Sequence, residues 1–227
     1  MTGQSAELDW QGDTPVSRAF GDPYFSLEGG LAETAHVFLA GNGLPGRLRP
    51  GFTILELGFG TGLNCLATLR AMRESGLPGP IHYTSFEAFP MGPADRARAL
   101  SAFPELAQDA ALLAAALARG PGPQDLGGLV LTVVEGDARQ TLPAWPGRAD
   151  AVFLDGFAPA RNPEMWEPAL LAAVAARLVP GGTLATYTAA GAVRRALEAA
   201  GLVVERRPGF GRKRHMTVAY KPAEPPR

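Results

Sequence analysis

The sequence has one cysteine, Cys65, among its 227 residues, which excludes an internal disulfide framework. Cys65 reads as a small apolar residue inside a helical stretch. The three histidines, His36, His82 and His215, stand far apart, and no Cys or His grouping has the spacing of a metal site. No apolar run is long enough to cross a bilayer. The opening residues 1–13 are polar and acidic and lack the basic-then-apolar order of a signal peptide. These absences predict a soluble, cytoplasmic protein with no metal and no membrane partner. At 46% apolar and only 19% charged, the composition fits a globular chain rather than a disordered one.

The net charge of −1 hides an asymmetry. Residues 191–221 contain eight basic residues (Arg194, Arg195, Arg206, Arg207, Arg212, Lys213, Arg214 and Lys221) against Glu198 and Glu205. That segment is therefore +6 and the remainder −7. Charge alone leaves two readings open, a solvated face and a surface for a polyanion.

Short apolar runs bounded by turn residues predict strands at 52–57, 81–87, 129–135, 149–155, 183–187, 202–205 and 215–220. Helical periodicity predicts helices at 31–39, 63–74, 93–102, 105–118, 163–178 and 192–200. Alternating strands and helices imply an α/β fold, doubly wound, with a mostly parallel seven-stranded sheet covered on both faces. Residues 1–50 read as an N-terminal extension packed on that sheet, 51–221 as the domain itself, and 222–227 as a frayed tail.

The sharpest local feature is the run Ile54-Leu55-Glu56-Leu57-Gly58-Phe59-Gly60-Thr61-Gly62-Leu63-Asn64, in which a buried strand meets a glycine-rich turn that opens a helix. In a doubly wound sheet such a turn lines the ligand crevice. The spacing is G-x-G-x-G, and Leu63 stands where a dinucleotide fingerprint has its third glycine. The loop therefore suits an amino acid and nucleoside better than a pyrophosphate. Three carboxylates follow at successive strand ends: Glu87, placed for ribose hydroxyls; Asp137, followed by Ala138, placed for an adenine amino group; and Asp155. Any one could be a helix cap, and for Asp137 cap and ligand are equally good readings. All three beside a glycine loop favour a nucleoside site.

The stretch Phe153-Leu154-Asp155-Gly156-Phe157-Ala158-Pro159-Ala160-Arg161-Asn162-Pro163-Glu164-Met165-Trp166 resembles the methyltransferase domain of the MnmC family and its standalone relatives, sometimes called MnmD. Asp9-Trp10, the run from Phe20 to Ser26, Ser85-Phe86-Glu87 and Gly209-Phe210-Gly211-Arg212-Lys213-Arg214 agree, so the resemblance runs from about Asp9 to Tyr220. It implies a Rossmann-like class I methyltransferase that uses S-adenosylmethionine and releases S-adenosylhomocysteine. The implied reaction methylates the aminomethyl nitrogen of 5-aminomethyl-(2-thio)uridine at the tRNA wobble position, giving 5-methylaminomethyl-(2-thio)uridine. Gly58, Gly60, Gly62, Asn64, Glu87, Asp137 and Ala138 would then hold the methyl donor, and Asp155 would receive the amine. MnmC proteins also carry a flavin-dependent oxidase domain. The sequence stops at Arg227, so no flavin is expected here, and the aminomethyl-uridine is expected either from separate enzymes or to be replaced by another substrate.

Within that reading Phe157, Pro159 and Pro163 make a stiff apolar wall for a flipped-out base, and Arg161 and Asn162 donate hydrogen bonds to phosphate or base edges. Arg194, Arg195, Arg206, Arg207, Arg212, Lys213 and Arg214 contact RNA phosphates, with Phe210 among them. Trp166 reads as ordinary packing. A monomer is the default. Competing classes are a methyltransferase for a small-molecule or protein amine, an NAD-dependent oxidoreductase, and an RNA-binding protein without catalysis.

Overall fold

Ten strands and seven α-helices alternate along the computed structural model, which describes residues 5–77 and 79–223. Of the tail, residues 224–227 lie outside the described residues. The main sheet is built from β3 (Thr53–Leu57), β4 (Ile81–Glu87), β5 (Gln124–Asp125), β6 (Leu129–Glu135), β7 (Ala149–Leu154), β8 (Leu178–Thr186), β9 (Val203–Pro208) and β10 (His215–Tyr220). Their order is β5-β6-β4-β3-β7-β8-β10-β9. The pairs β6–β4, β4–β3, β3–β7 and β7–β8 are parallel, while β10 runs against both its neighbours. The chain starts the sheet at its centre with β3, builds outward through β4 and β6, then returns to lay β7 on the other side. Carboxyl ends of β3 and β7 are thus neighbours at the point where the winding reverses, the place where open α/β sheets form a crevice.

Alternation within the strands explains why both faces are covered. Ile54, Tyr83, Leu131 and Phe153 enter one apolar cluster with α2 (Leu63–Glu74) and α4 (Ala107–Ala118). Leu55, Leu57, Phe86, Val152 and Leu154 enter the opposite cluster with α5 (Ala138–Ala144), α6 (Pro168–Arg177) and α7 (Gly191–Ala199). A period of two with both phases apolar is the pattern of a sheet buried on both sides.

Several elements differ from expectation. The sheet has an eighth strand because Gln124 and Asp125 pair antiparallel with β6, a two-residue stretch too short to leave a periodic signal. The helix expected at 163–178 is broken: a 3₁₀ turn covers Pro163–Trp166, Glu167 is extended at ψ 140°, and α6 starts at Pro168. Proline disfavours a helical residue before it and fits the first helical position well, so Pro168 causes the break. The strand expected at 183–187 begins at Leu178, pairing with Ala149 before a register shift between Ala149 and Ala151. The helix α5 and the hairpin of β1 (Leu8–Gln11) with β2 (Thr14–Ser17) had no counterpart in the pattern of the sequence.

Between the hairpin and β3 the chain forms α1 (Gly30–Thr34), which widens into a π turn over Ala35–Leu39. Val37 and Phe38 enter the first apolar cluster. Asn42 donates to Val152 O at 3.3 Å and accepts from Thr183 Oγ1 at 2.7 Å, tying this segment to β7 and β8. Asp22 accepts from the Ala158 N–H at 2.8 Å, which fixes the same segment to the loop after β7.

Candidate functional site

A cavity of about 710 Å³ opens at the carboxyl ends of β3, β4, β6 and β7, and the turn after each contributes to its lining. Gly58 follows β3 at φ +91°, and a Cβ there would collide with the Asp155 carbonyl oxygen, so only glycine lets the β3 and β7 turns lie together. Gly60, at φ +53°, brings its backbone to the edge of the Tyr24 ring, 3.0 Å from where a Cβ would sit. Gly62 does not line the cavity. Its φ is +84° and its open side is filled by Leu113 and Phe59, so it serves helix–sheet packing at the start of α2.

Glu87 ends β4, nearly buried, with one carboxylate oxygen accepting from Gly60 N–H and the other from Phe89 N–H, both at 2.8 Å. Burial pushes its carboxyl up, and these backbone donors and the nearby Arg96 pull it back. Asp137 caps α5 by accepting from Arg139 N–H at 2.9 Å, and the Arg139 guanidinium holds both carboxylate oxygens. The cap reading therefore holds for Asp137, although it and Ala138 also line the cavity. Those Arg139 hydrogen bonds keep the Asp137 carboxyl below its ordinary value.

Asp155 lines the cavity at the end of β7 and is held by a hydrogen-bond network. Asn64 Nδ2 donates to its Oδ2 at 2.7 Å and also to Glu56 Oε1 at 2.9 Å, while Asn64 Oδ1 accepts from Thr34 Oγ1 at 2.7 Å. Glu56 is 0% exposed, and its other oxygen accepts from Ser85 Oγ at 2.6 Å. Burial pushes the Glu56 carboxyl up to about 8 and that of Asp155 up to about 7; for Asp155 the Asn64 hydrogen bond and Lys213 act in the opposite sense, and Glu33 adds to the rise. The aspartate is thus poised near neutrality and held in one orientation.

Aromatic rings form the wall beside it. Phe157 packs 4.9 Å from Phe20 and edge-on, 5.0 Å, to Tyr24. Trp166 Nε1 donates to Phe157 O at 2.8 Å, and Tyr187 OH donates to Gly156 O at 2.7 Å, so the backbone of the turn after β7 is clamped from two sides. A glycine turn, a buried carboxylate with backbone donors and a hydrogen-bonded aspartate in a cavity lined with aromatic rings suit a nucleoside-bearing methyl donor and an amine acceptor.

Residues 114–222 match the model of the S-adenosyl-L-methionine-dependent methyltransferase family. A tRNA 5-methylaminomethyl-2-thiouridine biosynthesis bifunctional protein MnmC from Caulobacter sp. (strain K31) is 48% identical over 240 residues, covering 98% of this chain and 40% of the relative. The MnmC of Pseudomonas aeruginosa (strain UCBPP-PA14) is 49% identical over 225 residues, covering 94% of this chain and 34% of the relative. The chain is thus similar along almost its whole length to MnmC proteins, and its later part matches the S-adenosyl-L-methionine-dependent methyltransferase model. It spans 34% to 40% of the length of those two relatives. The crystal structure of MnmC2 from Aquifex aeolicus superposes with a TM-score of 0.76 at 28% identity, covering 100% of this chain and 74% of that one.

The remaining expected site residues divide by position. Asn162, Arg212 and Lys213 line the cavity with Phe157, whereas Pro159, Arg161, Arg194, Arg195 and Arg214 lie outside its lining. Arg212 is paired with Glu28 at 2.6 Å and Lys213 with Glu33 at 2.7 Å. His215 is held below the ordinary imidazole range, by desolvation first and then by the positive charges of Arg206, Arg214 and Arg194. Sequence reasoning left Phe20, Tyr24, Glu33, Glu56 and Tyr187 without a role. Glu56 had a usable signal, a charge inside an apolar strand; Glu33, on a short helix distant in sequence, had none. Among the described residues no helix is long and apolar enough to cross a membrane.

Proposed function

We propose that the chain methylates the aminomethyl nitrogen of 5-aminomethyl-(2-thio)uridine at the wobble position of tRNA. The observation that carries this reading is the Asp155 carboxylate, oriented by Asn64 and walled by Phe157 and Tyr187, in the cavity that also contains the Gly58–Gly60 turn and Glu87. The similarity to MnmC proteins, which are tRNA 5-methylaminomethyl-2-thiouridine biosynthesis proteins, supports the substrate class.

The fit to the methyl donor rests on the turn itself, where Gly58 and Gly60 at positive φ line the cavity with backbone alone, and on a nearly buried Glu87 whose oxygens retain lone pairs for ribose hydroxyls. Gly58, Gly60, Glu87, Asp137 and Ala138 would hold the donor, and Asn64 reaches it through Asp155. When bound, S-adenosylmethionine supplies an electrophilic methyl group and leaves as the neutral thioether.

The protein's own residues have three tasks. Alignment comes first, because an in-line displacement needs the nitrogen held on the axis of the breaking bond, and Asp155 is the acceptor placed to orient an amine N–H. The second is charge. Positive charge moves onto nitrogen as the new bond forms, and the Asp155 carboxylate stabilises it there. The third is access. Phe20, Phe157 and Tyr187 present aromatic surface to an unstacked base. Phosphates are met outside the cavity lining by Arg194, Arg206 and Arg214.

The test is incubation of the purified protein with labelled S-adenosylmethionine and tRNA from a strain lacking this methylation, followed by nucleoside mass spectrometry. A 5-methylaminomethyl-uridine product is expected. Tight S-adenosylhomocysteine binding without tRNA labelling would retain the methyltransferase and remove the substrate assignment.

A further inference from the structure

A lysine in a basic surface run ordinarily turns its ammonium to solvent. Lys213 turns inward. Its Nζ donates to Glu33 Oε1 at 2.7 Å and lies 4.1 Å from the centre of the Tyr187 ring. Tyr187 is itself pinned through its hydroxyl to Gly156 O, so the cation is held against a fixed wall of the cavity. Both Glu33 and Lys213 act electrostatically on Asp155. An ammonium committed to a carboxylate and a ring face is poorly placed to grip a phosphate.

An alkylamine has an ordinary pKa of ~10.4 and arrives mostly protonated, without the lone pair that must attack. Asp155 and Glu33, as anions, would favour that protonated form, and Lys213 opposes it because like charges disfavour one another at short range. We propose that Lys213, balanced by Glu33, sets the charge of the reaction chamber so that the acceptor amine meets Asp155 as the neutral nucleophile. This rests on the amine-methylation reading above. The groups that face or act on Asp155 are Glu56 from β3, Tyr83 from β4, Asn64 from α2, Glu33 from α1, Tyr187 after β8 and Lys213 from the β9–β10 loop. Lys213 is the one cation among them, which makes it a positioning charge for the reaction rather than a contact to RNA.

The experiment is the pH dependence of kcat/KM for tRNA methylation, whose acid limb reports the loss of the amine proton and the ionisation of Asp155. Glu33→Gln removes an anion and shifts the limb down by about one pH unit. Adding Lys213→Met in the Glu33→Gln background, where no buried carboxylate loses its partner, moves the limb back up by a similar amount. Lys213→Arg keeps the unaltered profile. Identical limbs in the Glu33→Gln and double variants, with only a uniform loss of rate, would overturn the inference and leave the methylation reading standing. Failure of the unaltered protein to methylate the amine defeats both, and is seen before any variant is made.

Discussion

Asp155 accepts a 2.7 Å hydrogen bond from the side-chain amide of Asn64. The same amide nitrogen reaches Glu56, so one residue of α2 couples the Asp155 carboxylate to a buried acid in the sheet. That hydrogen bond favours the ionised aspartate against the effect of burial. Asn64→Leu is therefore expected to raise the Asp155 pKa and move the acid limb of kcat/KM upward by about one unit. It also leaves Glu56 and Thr34 short of a partner, costing about 1–3 kcal/mol in a denaturation experiment. An unmoved limb would mean that Asp155 need not be ionised for turnover.

Glu87 accepts two backbone N–H groups, so replacing it with glutamine turns one acceptor oxygen into a donor facing another donor. Glu87→Gln is expected to weaken S-adenosylhomocysteine binding roughly ten- to hundredfold, read by calorimetry. Retained affinity would show that the donor does not use this carboxylate.

Burial raises the Glu56 carboxyl from its ordinary 4.5 to about 8, so the folded chain keeps a proton there that the unfolded chain has lost. Its contribution to stability is full below pH 4.5, declines as the pH rises toward 8, and is flat above that. Asp155 adds a parallel decline between 3.8 and about 7. The window from pH 7 to 8 therefore isolates Glu56, and urea unfolding there should lose about 1 kcal/mol in the unaltered protein. Glu56→Gln should show no such loss.

Arg194, Arg206 and Arg214 have no ion pair among the described residues, whereas Arg212 is paired with Glu28 and Lys213 with Glu33. Arg194→Ala or Arg214→Ala should each lower the slope of log affinity for tRNA against log salt by about 1. Lys213→Met should leave that slope unchanged. Equal effects from all three would return Lys213 to the phosphate surface.

The sheet and the glycine turn were legible because they rest on local pattern: apolar runs of strand length, turn residues between them, and Gly58 and Gly60 where the backbone must come close. Asp155, Glu87 and Phe157 were expected at the crevice for the same reason, and all three line the cavity, Glu87 ending β4 and the other two following β7. What the sequence could not express was pairing at long range. Lys213 and Glu33 are 180 residues apart, and nothing in a basic run announces that one member points inward. Gly62 shows the reverse limit. A motif glycine looks the same whether it admits a ligand or a leucine, and here it admits Leu113. The break at Pro168 was present in the sequence, but helical periodicity on both sides of it concealed the stop.

The Asp22 carboxylate that receives the Ala158 N–H, and the Lys213 ammonium that meets Glu33, bring early and late stretches of the chain onto the same chamber. During synthesis the glycine turn, Glu87 and Asp155 leave the ribosome well before Lys213 does. A chain cut before residue 213 would therefore keep the glycine turn, Glu87 and Asp155 and lose the ammonium that pairs with Glu33.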